Sequence, residues 1–94
     1  MNIENIQQNT TEIEGVQFRF DENGFVNFGD VARSLLNQQS QYASRYVDGQ
    51  LDGYPNLGEN LRFEGSPMNY HDLKIHKDDI QTFINKVKQY KEES

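Results

Sequence analysis

The sequence predicts a single small α+β domain with three helices, an N-terminal β-hairpin and a second β-hairpin. A chain of 94 residues buries only roughly 60 to 65% of the surface that its unfolded form exposes, which leaves room for one core. Apolar residues alternate with polar ones at residues 16–20, 61–63 and 73–75, as in strands. In the segment 80–90 they recur at three and four positions, as on one face of a helix.

The N-terminal part predicts an arm followed by a hairpin. Residues 1–12 are rich in Asn, Gln and Thr and show no sustained period, so we expect a flexible arm outside a domain of residues 13–94. Val16, Phe18 and Phe20 then alternate with polar residues. Because Asn23-Gly24 is a favourable two-residue turn, the segment 25–28 is predicted to return as the second strand of the hairpin.

Capping residues predict the first two helices. Asn27, with Asp30 three residues later, resembles a capping box, and a helix is expected from about residue 29 to 36. After a polar break, Ser40 is expected to cap a second helix that runs to about Asp48. Gly49 suits the position just after that helix, where a left-handed backbone is common.

A second hairpin and a third helix complete the predicted plan. Leu61 and Phe63 alternate about Arg62, and Leu73 and Ile75 alternate about Lys74, as two short strands would. The final helix has the clearest pattern, and two aspartates occupy its first turn, where the helix dipole favours carboxylates. Its apolar face consists of Ile80, Phe83, Ile84, Val87 and Tyr90, and the aspartates are Asp78 and Asp79.

Composition and residue spacing argue against several classes of protein. The chain has no cysteine, so no disulfide or thiolate zinc site is expected. No apolar run approaches the ~20 residues of a membrane span, and a cytoplasmic protein is expected. His71 and His76 stand five apart, which puts them on opposite faces of a strand, so we predict no metal site. Neither a nucleophile with an activating context nor a phosphate-binding glycine pattern is present, so we expect no enzyme and no cofactor.

The predicted order of elements is that of a small winged helix-turn-helix domain. The segments 28–35 (FGDVARSL), 40–51 (SQYASRYVDGQL) and 73–84 (LKIHKDDIQTFI) resemble the two helices, the last wing strand and the closing helix of excisionase-like and MerR-like domains. The segments 18–20 and 25–32 are similar to the phage Bro-N and KilA-N domains. Both resemblances imply DNA binding in a phage or another mobile element.

The resemblance implies a DNA-binding face on the second helix and the wing. In such domains the start of the second helix enters the major groove, where Gln pairs with adenine and Arg with guanine. Wing residues then meet phosphates or a minor groove. The candidates on the helix are Gln39, Ser40, Gln41, Ser44 and Arg45, and those on the wing are Arg62, Asn69, His71 and Lys74. Ordinary capping and solvation explain the same residues, and both interpretations stay open.

Two functions therefore stand as hypotheses. The first is a sequence-reading accessory factor or regulator that binds double-stranded DNA, either as an excisionase-like architectural protein or as a repressor. The second is an acidic protein-binding module, for example a phage-encoded inhibitor of a host nucleic-acid-binding complex, comparable to an anti-CRISPR protein.

Charge and exposed aromatic residues discriminate between the two hypotheses. A formal charge of −6 disfavours phosphate binding and favours the protein-binding module. A basic face with Arg33, Arg45, Arg62 and Lys74 would favour DNA. Aromatic anchors such as Tyr42, Tyr54 and Tyr70 would favour a protein.

Overall fold

The structure, a computed structural model, describes residues 9–93 and folds them into short helices and two antiparallel sheets. Its strands are β1 (Thr10–Ile13), β2 (Val16–Arg19), β3 (Phe25–Asn27), β4 (Phe63–Glu64) and β5 (Lys74–His76). Its helices are α1 (Phe28–Val31), α2 (Ser40–Ala43) and α3 (Ile80–Glu93). A π-helical turn, Ala32–Leu36, continues α1, and 3₁₀ turns lie at Ser44–Tyr46, Pro67–Asn69 and Lys77–Asp79. The predicted α+β class is confirmed.

The N-terminal hairpin pairs different strands from the predicted ones. β1 pairs with β2 across a turn in which Gly15 has a φ of 82°. β3, the predicted partner of β2, meets the end of that strand at an isolated bridge between Phe20 and Val26. It pairs instead with β5, where Val26 stands opposite Ile75 and both side chains are buried. The prediction of a β2–β3 hairpin is therefore wrong, because a distant strand offers β3 an apolar partner.

Two neighbouring features bear on the predicted arm and turn. Residues 10–12, which the sequence assigns to the arm, belong to β1, and residues 1–8 lie outside the described part of the chain. The turn predicted at Asn23-Gly24 is present. Gly24 has a φ of 88°, and its N–H donates to the carbonyl of Asp21 at 2.9 Å. The turn leads the chain into β3 and the larger sheet.

Asn27 begins the first helix as the sequence predicts. Its Oδ1 accepts a hydrogen bond from the N–H of Asp30 at 3.0 Å, which satisfies one of the N–H groups that a helix start leaves without a partner. The helical segment runs on to Leu36 and ends at Asn37, whose φ of 56° is left-handed. The predicted helix over 29–36 is confirmed, with a π-helical last turn.

The second helix is shorter than predicted and is capped differently. Four α-helical residues, Ser40–Ala43, pass directly into a 3₁₀ turn. Gln39 occupies the cap position without a side-chain cap bond, and Ser40 lies inside the first turn with its side chain buried. The prediction that Ser40 caps this helix is therefore wrong by one residue. Gly49, predicted to follow the helix, has a left-handed φ of 69°.

The larger sheet has the strand order β3-β5-β4, and its buried residues belong to the same core cluster as those of α3. Ile75 in the middle strand stands opposite Val26 on one side and Phe63 on the other. The predicted second hairpin is thus confirmed as β4 and β5, with β3 as a third strand. The ring of Phe83 in α3 lies 5.7 Å from that of Phe28 and 5.6 Å from that of Phe63. These three rings join α1, β4 and α3 in one core.

Candidate functional site

The helix residues predicted to face DNA divide between the core and the surface. Ser40 and Ser44 are buried, and the Ser44 hydroxyl donates to the carbonyl of Gln41 at 3.2 Å. Gln39 is exposed at the start of α2, while Gln41 and Arg45 are half-buried. The two serines are therefore largely inside the domain, and Gln39, Gln41 and Arg45 stay accessible on the outer face.

The predicted wing residues are engaged with neighbours on the domain itself. Arg62 Nε lies 2.9 Å from Asp79 Oδ2. Lys74 Nζ lies 3.3 Å from Asp21 Oδ2, and a second carboxylate oxygen, on Glu64, lies 3.9 Å away. The other two residues form a local hydrogen bond and a ring contact, Asn69 to Asp72 at 3.0 Å and His71 to Tyr70 at 4.5 Å between centroids. The wing therefore presents its cations already paired with carboxylates.

A surface groove lies between α2 and the 3₁₀ turn Pro67–Asn69. It encloses about 410 Å³ and is bounded on the helix side by polar residues and on the other side by apolar ones. At one point the two sides are joined, because the hydroxyl of Tyr70 donates to Gln41 Oε1 at 3.2 Å. The lining consists of Gln41 from α2, Ser44 and Arg45 from the 3₁₀ turn that follows it, Asp48, Gln50 and Leu51 from the chain after that turn, and Pro67, Met68 and Tyr70 opposite.

Exposed apolar side chains gather at this groove. Within residues 9–93 the exposed large hydrophobic side chains are Met68, at 83% of its full accessible area, and Tyr42 and Leu51, each at 45%. Met68 and Leu51 line the groove, and Tyr42 contacts one of its lining residues, since the guanidinium of Arg45 lies 5.1 Å from the centre of the Tyr42 ring. Clustered exposed apolar surface on a small domain is typical of an interaction site.

The groove carries a carboxylate and a guanidinium that do not pair with each other. Arg45 lies over two rings, those of Tyr42 and Tyr54, the second at 5.8 Å. Asp48, three residues further along, accepts a hydrogen bond from the N–H of Gln50 at 3.1 Å. None of the ion pairs formed within residues 9–93 includes Asp48. The groove therefore exposes one negative charge beside apolar surface.

Other titratable residues cap or pair with neighbouring elements of the fold. His76 Nδ1 accepts a hydrogen bond from the N–H of Asp78 at 3.1 Å and so caps the 3₁₀ turn before α3. A hydrogen bond from Lys77 lowers the pKa of Asp78, and one from Arg62 lowers the pKa of Asp79. Both carboxyls are therefore ionised and paired at neutral pH. No group of three His, Cys, Asp or Glu side chains in the described part of the chain could hold a metal ion.

Sequence reasoning reached part of this site. It selected Gln41, Ser44 and Arg45 as a binding face, and it named Tyr42 and Tyr70 as aromatic anchors. It missed Leu51 and Met68, the most apolar part of the lining. The available signal was the Ser66-Pro67 pair, in which Ser66 Oγ accepts a hydrogen bond from the N–H of Met68 at 3.1 Å. A serine before a proline favours a short helical turn, and that turn holds Met68 outward.

Comparison with known proteins gives no relative for this chain. No family model matches it, and neither a curated protein nor a solved structure matches it. Of the helices in residues 9–93, none has both the length and the apolar character needed to cross a membrane. The class of molecule is therefore defined by its own geometry: a small α+β domain with a partly apolar surface groove.

Proposed function

We propose that this domain binds another protein through the groove, on a winged helix-turn-helix scaffold. The observation that carries the proposal is that two of the exposed large hydrophobic side chains, Met68 and Leu51, line one groove. A small domain gains stability by burying such side chains in its own core. Surface that remains apolar and concave is instead suited to contact with a partner.

The order of elements supports the scaffold. After β3 the chain forms α1, a short turn, α2, the β4–β5 hairpin and α3, which is the plan of a winged helix-turn-helix. The groove lies between α2 and the chain that connects β4 to β5. In a DNA-binding member of this architecture, the second helix is the one that enters the major groove. Here the same helix forms one wall of a cavity.

The chemistry of the lining supports a protein as the partner. Tyr, Met and Arg are enriched at the cores of protein interfaces, and the groove brings together Tyr70, Met68 and Arg45. Burying a Met or Leu side chain that is exposed in the unbound protein contributes on the order of 1.5 to 3 kcal/mol. Methionine also adapts its shape to an irregular surface. Met68 and Leu51 are therefore the expected anchors of the interface.

The charges of the domain also favour a protein partner over DNA. DNA affinity depends on lysines and arginines that neutralise phosphates. Three of the cations expected to form a basic face are instead paired with carboxylates: Arg33 with Asp30 at 2.8 Å, Arg62 with Asp79, and Lys74 with Asp21. The chain as a whole carries a formal charge of −6. Such a charge steers the domain toward a basic protein surface and away from nucleic acid.

Met68→Glu tests the groove as the contact site. We expect the wild-type protein, immobilised and exposed to a nuclease-treated lysate of its source organism, to recover one protein specifically. With that protein purified, Met68→Glu should weaken binding at least about tenfold, because it places a charge in the apolar part of the interface. Calorimetry measures the affinity. Since Met68 is 83% exposed, the fold of the variant should be unchanged.

Thr82→Glu is the matched control for this experiment. It introduces the same charge on the exposed side of α3, at a residue that does not line the groove. Its affinity for the recovered protein should equal that of the wild type. If both variants weaken binding equally, the effect is one of charge alone and the groove is not the contact site.

A titration with labelled duplex DNA of mixed sequence tests the other function. At about 50 mM salt we expect no binding by fluorescence anisotropy, because Arg45 lies over two tyrosine rings and the cations of the wing are paired with carboxylates. DNA binding would give a different result. Binding that falls steeply with salt, and that Arg45→Ala weakens by roughly 1 to 3 kcal/mol without loss of thermal stability, would establish a DNA-reading helix and overturn the proposal.

A further inference from the structure

The charge of Asp48 gives the groove a chemical preference. Its carboxylate lies on the helix side of the groove, while the facing side is formed by Pro67 and Met68. One of its oxygens accepts the N–H of Gln50. Within residues 9–93 no cation pairs with it. Asp48 is only half-buried, so a partner that fills the groove would remove its carboxylate from solvent.

Arg45 is held away from Asp48 by aromatic contacts. The two residues stand three positions apart, a spacing at which helical side chains often pair. The guanidinium lies instead over the rings of Tyr42 and Tyr54, at 5.1 and 5.8 Å from their centres. A cation over an aromatic face is attracted by the ring and gives up part of its hydration. The helix therefore leaves Asp48 for a ligand.

A partner that fills the groove must supply a cation for Asp48. Removing a carboxylate from water beside apolar side chains is costly unless an opposite charge and hydrogen bonds replace the water. An apolar segment alone would cover Met68 and Leu51 but would not compensate the desolvation of the Asp48 carboxylate. A segment with a lysine or arginine next to its apolar residue satisfies both parts of the lining. The formal charge of −6 favours the same segment during encounter.

Resting on the proposed function, we infer that the groove binds a protein segment that places an apolar side chain on Leu51 and Met68 and an adjacent lysine or arginine on Asp48. The proposal names a specific pairing and not a general attraction to acidic surface. Asp48 acts as the specificity-determining residue, and Met68 acts as the apolar contact. The two contributions are separable, because each depends on a different side chain.

Selection from a phage-displayed library of random peptides tests this inference. The immobilised wild-type protein should enrich peptides that combine an apolar residue with a nearby Lys or Arg. Asp48→Lys should reverse the preference toward Asp and Glu. Glu59→Lys makes the same change of charge at an exposed residue outside the groove lining, and it should keep the wild-type preference. A synthetic peptide from the wild-type selection should bind Asp48→Asn about tenfold more weakly, and its affinity should fall with salt.

The outcomes separate this inference from the proposed function. Peptides that depend on Met68, as shown by loss of binding to Met68→Glu, but that carry no excess of Lys or Arg would overturn the inference and leave the groove as a protein-binding site. A basic preference that persists in Asp48→Lys would overturn it too, because the charge would be recognised elsewhere. A library in which no peptide depends on Met68 would overturn the proposed function itself. Asp48→Asn keeps the acceptor for Gln50 and provides a second variant if Asp48→Lys does not fold.

Discussion

Replacing Phe83 by alanine should lower the free energy of unfolding by roughly 3 to 5 kcal/mol. Phe83 is completely buried in α3, and its ring contacts those of Phe28 and Phe63 edge to face at 5.7 and 5.6 Å. Alanine would remove these contacts and leave a cavity where α1, β4 and α3 meet. Because a small domain is stable by only roughly 5 to 15 kcal/mol, this loss is a large part of the total.

Urea denaturation followed by circular dichroism measures the effect. The midpoint for Phe83→Ala should fall well below that of the wild type while the slope of the transition stays the same. Thr82→Ala, at the exposed neighbour on the same helix, should change the midpoint little. A loss for Phe83→Ala no larger than for Thr82→Ala would show that the three rings do not form the core.

The local elements could be predicted because their signals lie within a few residues of one another. Asn27 and Asp30 are three apart, and the structure joins them in the cap of α1. The spacing of Ile80, Phe83, Ile84 and Val87 is that of one helical face, and these residues are buried in α3. In each case the chemistry that starts or orients the element is present in the sequence next to it.

Strand pairing could not be predicted in the same way. The Asn23-Gly24 turn favours a return of the chain, yet residues 25–27 pair with β5 about fifty positions later in the sequence. The pairing is decided by burial of Val26 against Ile75, which is a contact between distant residues. β1 was missed for the same reason, since Thr10 and Thr11 carry little apolar signal and are held by pairing with β2.

Only part of the candidate groove could be predicted from the sequence. Gln41 in α2 and Arg45 in the 3₁₀ turn after it follow from the helical segment alone. The groove also needs the connection between β4 and β5, whose path is set by glycines, a proline and hydrogen bonds such as Tyr70 to Gln41. No hydrophobic periodicity in the sequence predicts the path of this connection. Met68 therefore looks like an ordinary loop residue until the fold places it across from Asp48.

Asp79→Asn should lower the free energy of unfolding by roughly 1.5 to 3 kcal/mol at neutral pH, the range for hydrogen bonds to a charged group. The Asp79 carboxylate accepts three hydrogen bonds from Arg62, from its backbone N–H at 2.8 Å, from Nε at 2.9 Å and from Nη2 at 3.3 Å. These bonds attach the start of β4 to the turn before α3. The Asp79 side chain is only 14% exposed, so water competes weakly for it. An asparagine keeps the size but loses the charge and one acceptor.

The same substitution should also change the pH dependence of stability. The hydrogen bonds from Arg62 lower the pKa of Asp79 below its ordinary value of 3.8. A carboxyl with a lowered pKa in the folded state contributes stability that is fully present above the unfolded value and is lost as the pH falls through the folded value. The difference in unfolding free energy between wild type and Asp79→Asn should therefore be largest at neutral pH and shrink in acid.

Asp78→Asn is the matched control. The Asp78 carboxylate is 58% exposed and pairs with Lys77, so its loss should cost less. Equal losses in the two variants, or a difference for Asp79→Asn that stays constant into acid, would show that the Arg62 hydrogen bonds do not stabilise the fold.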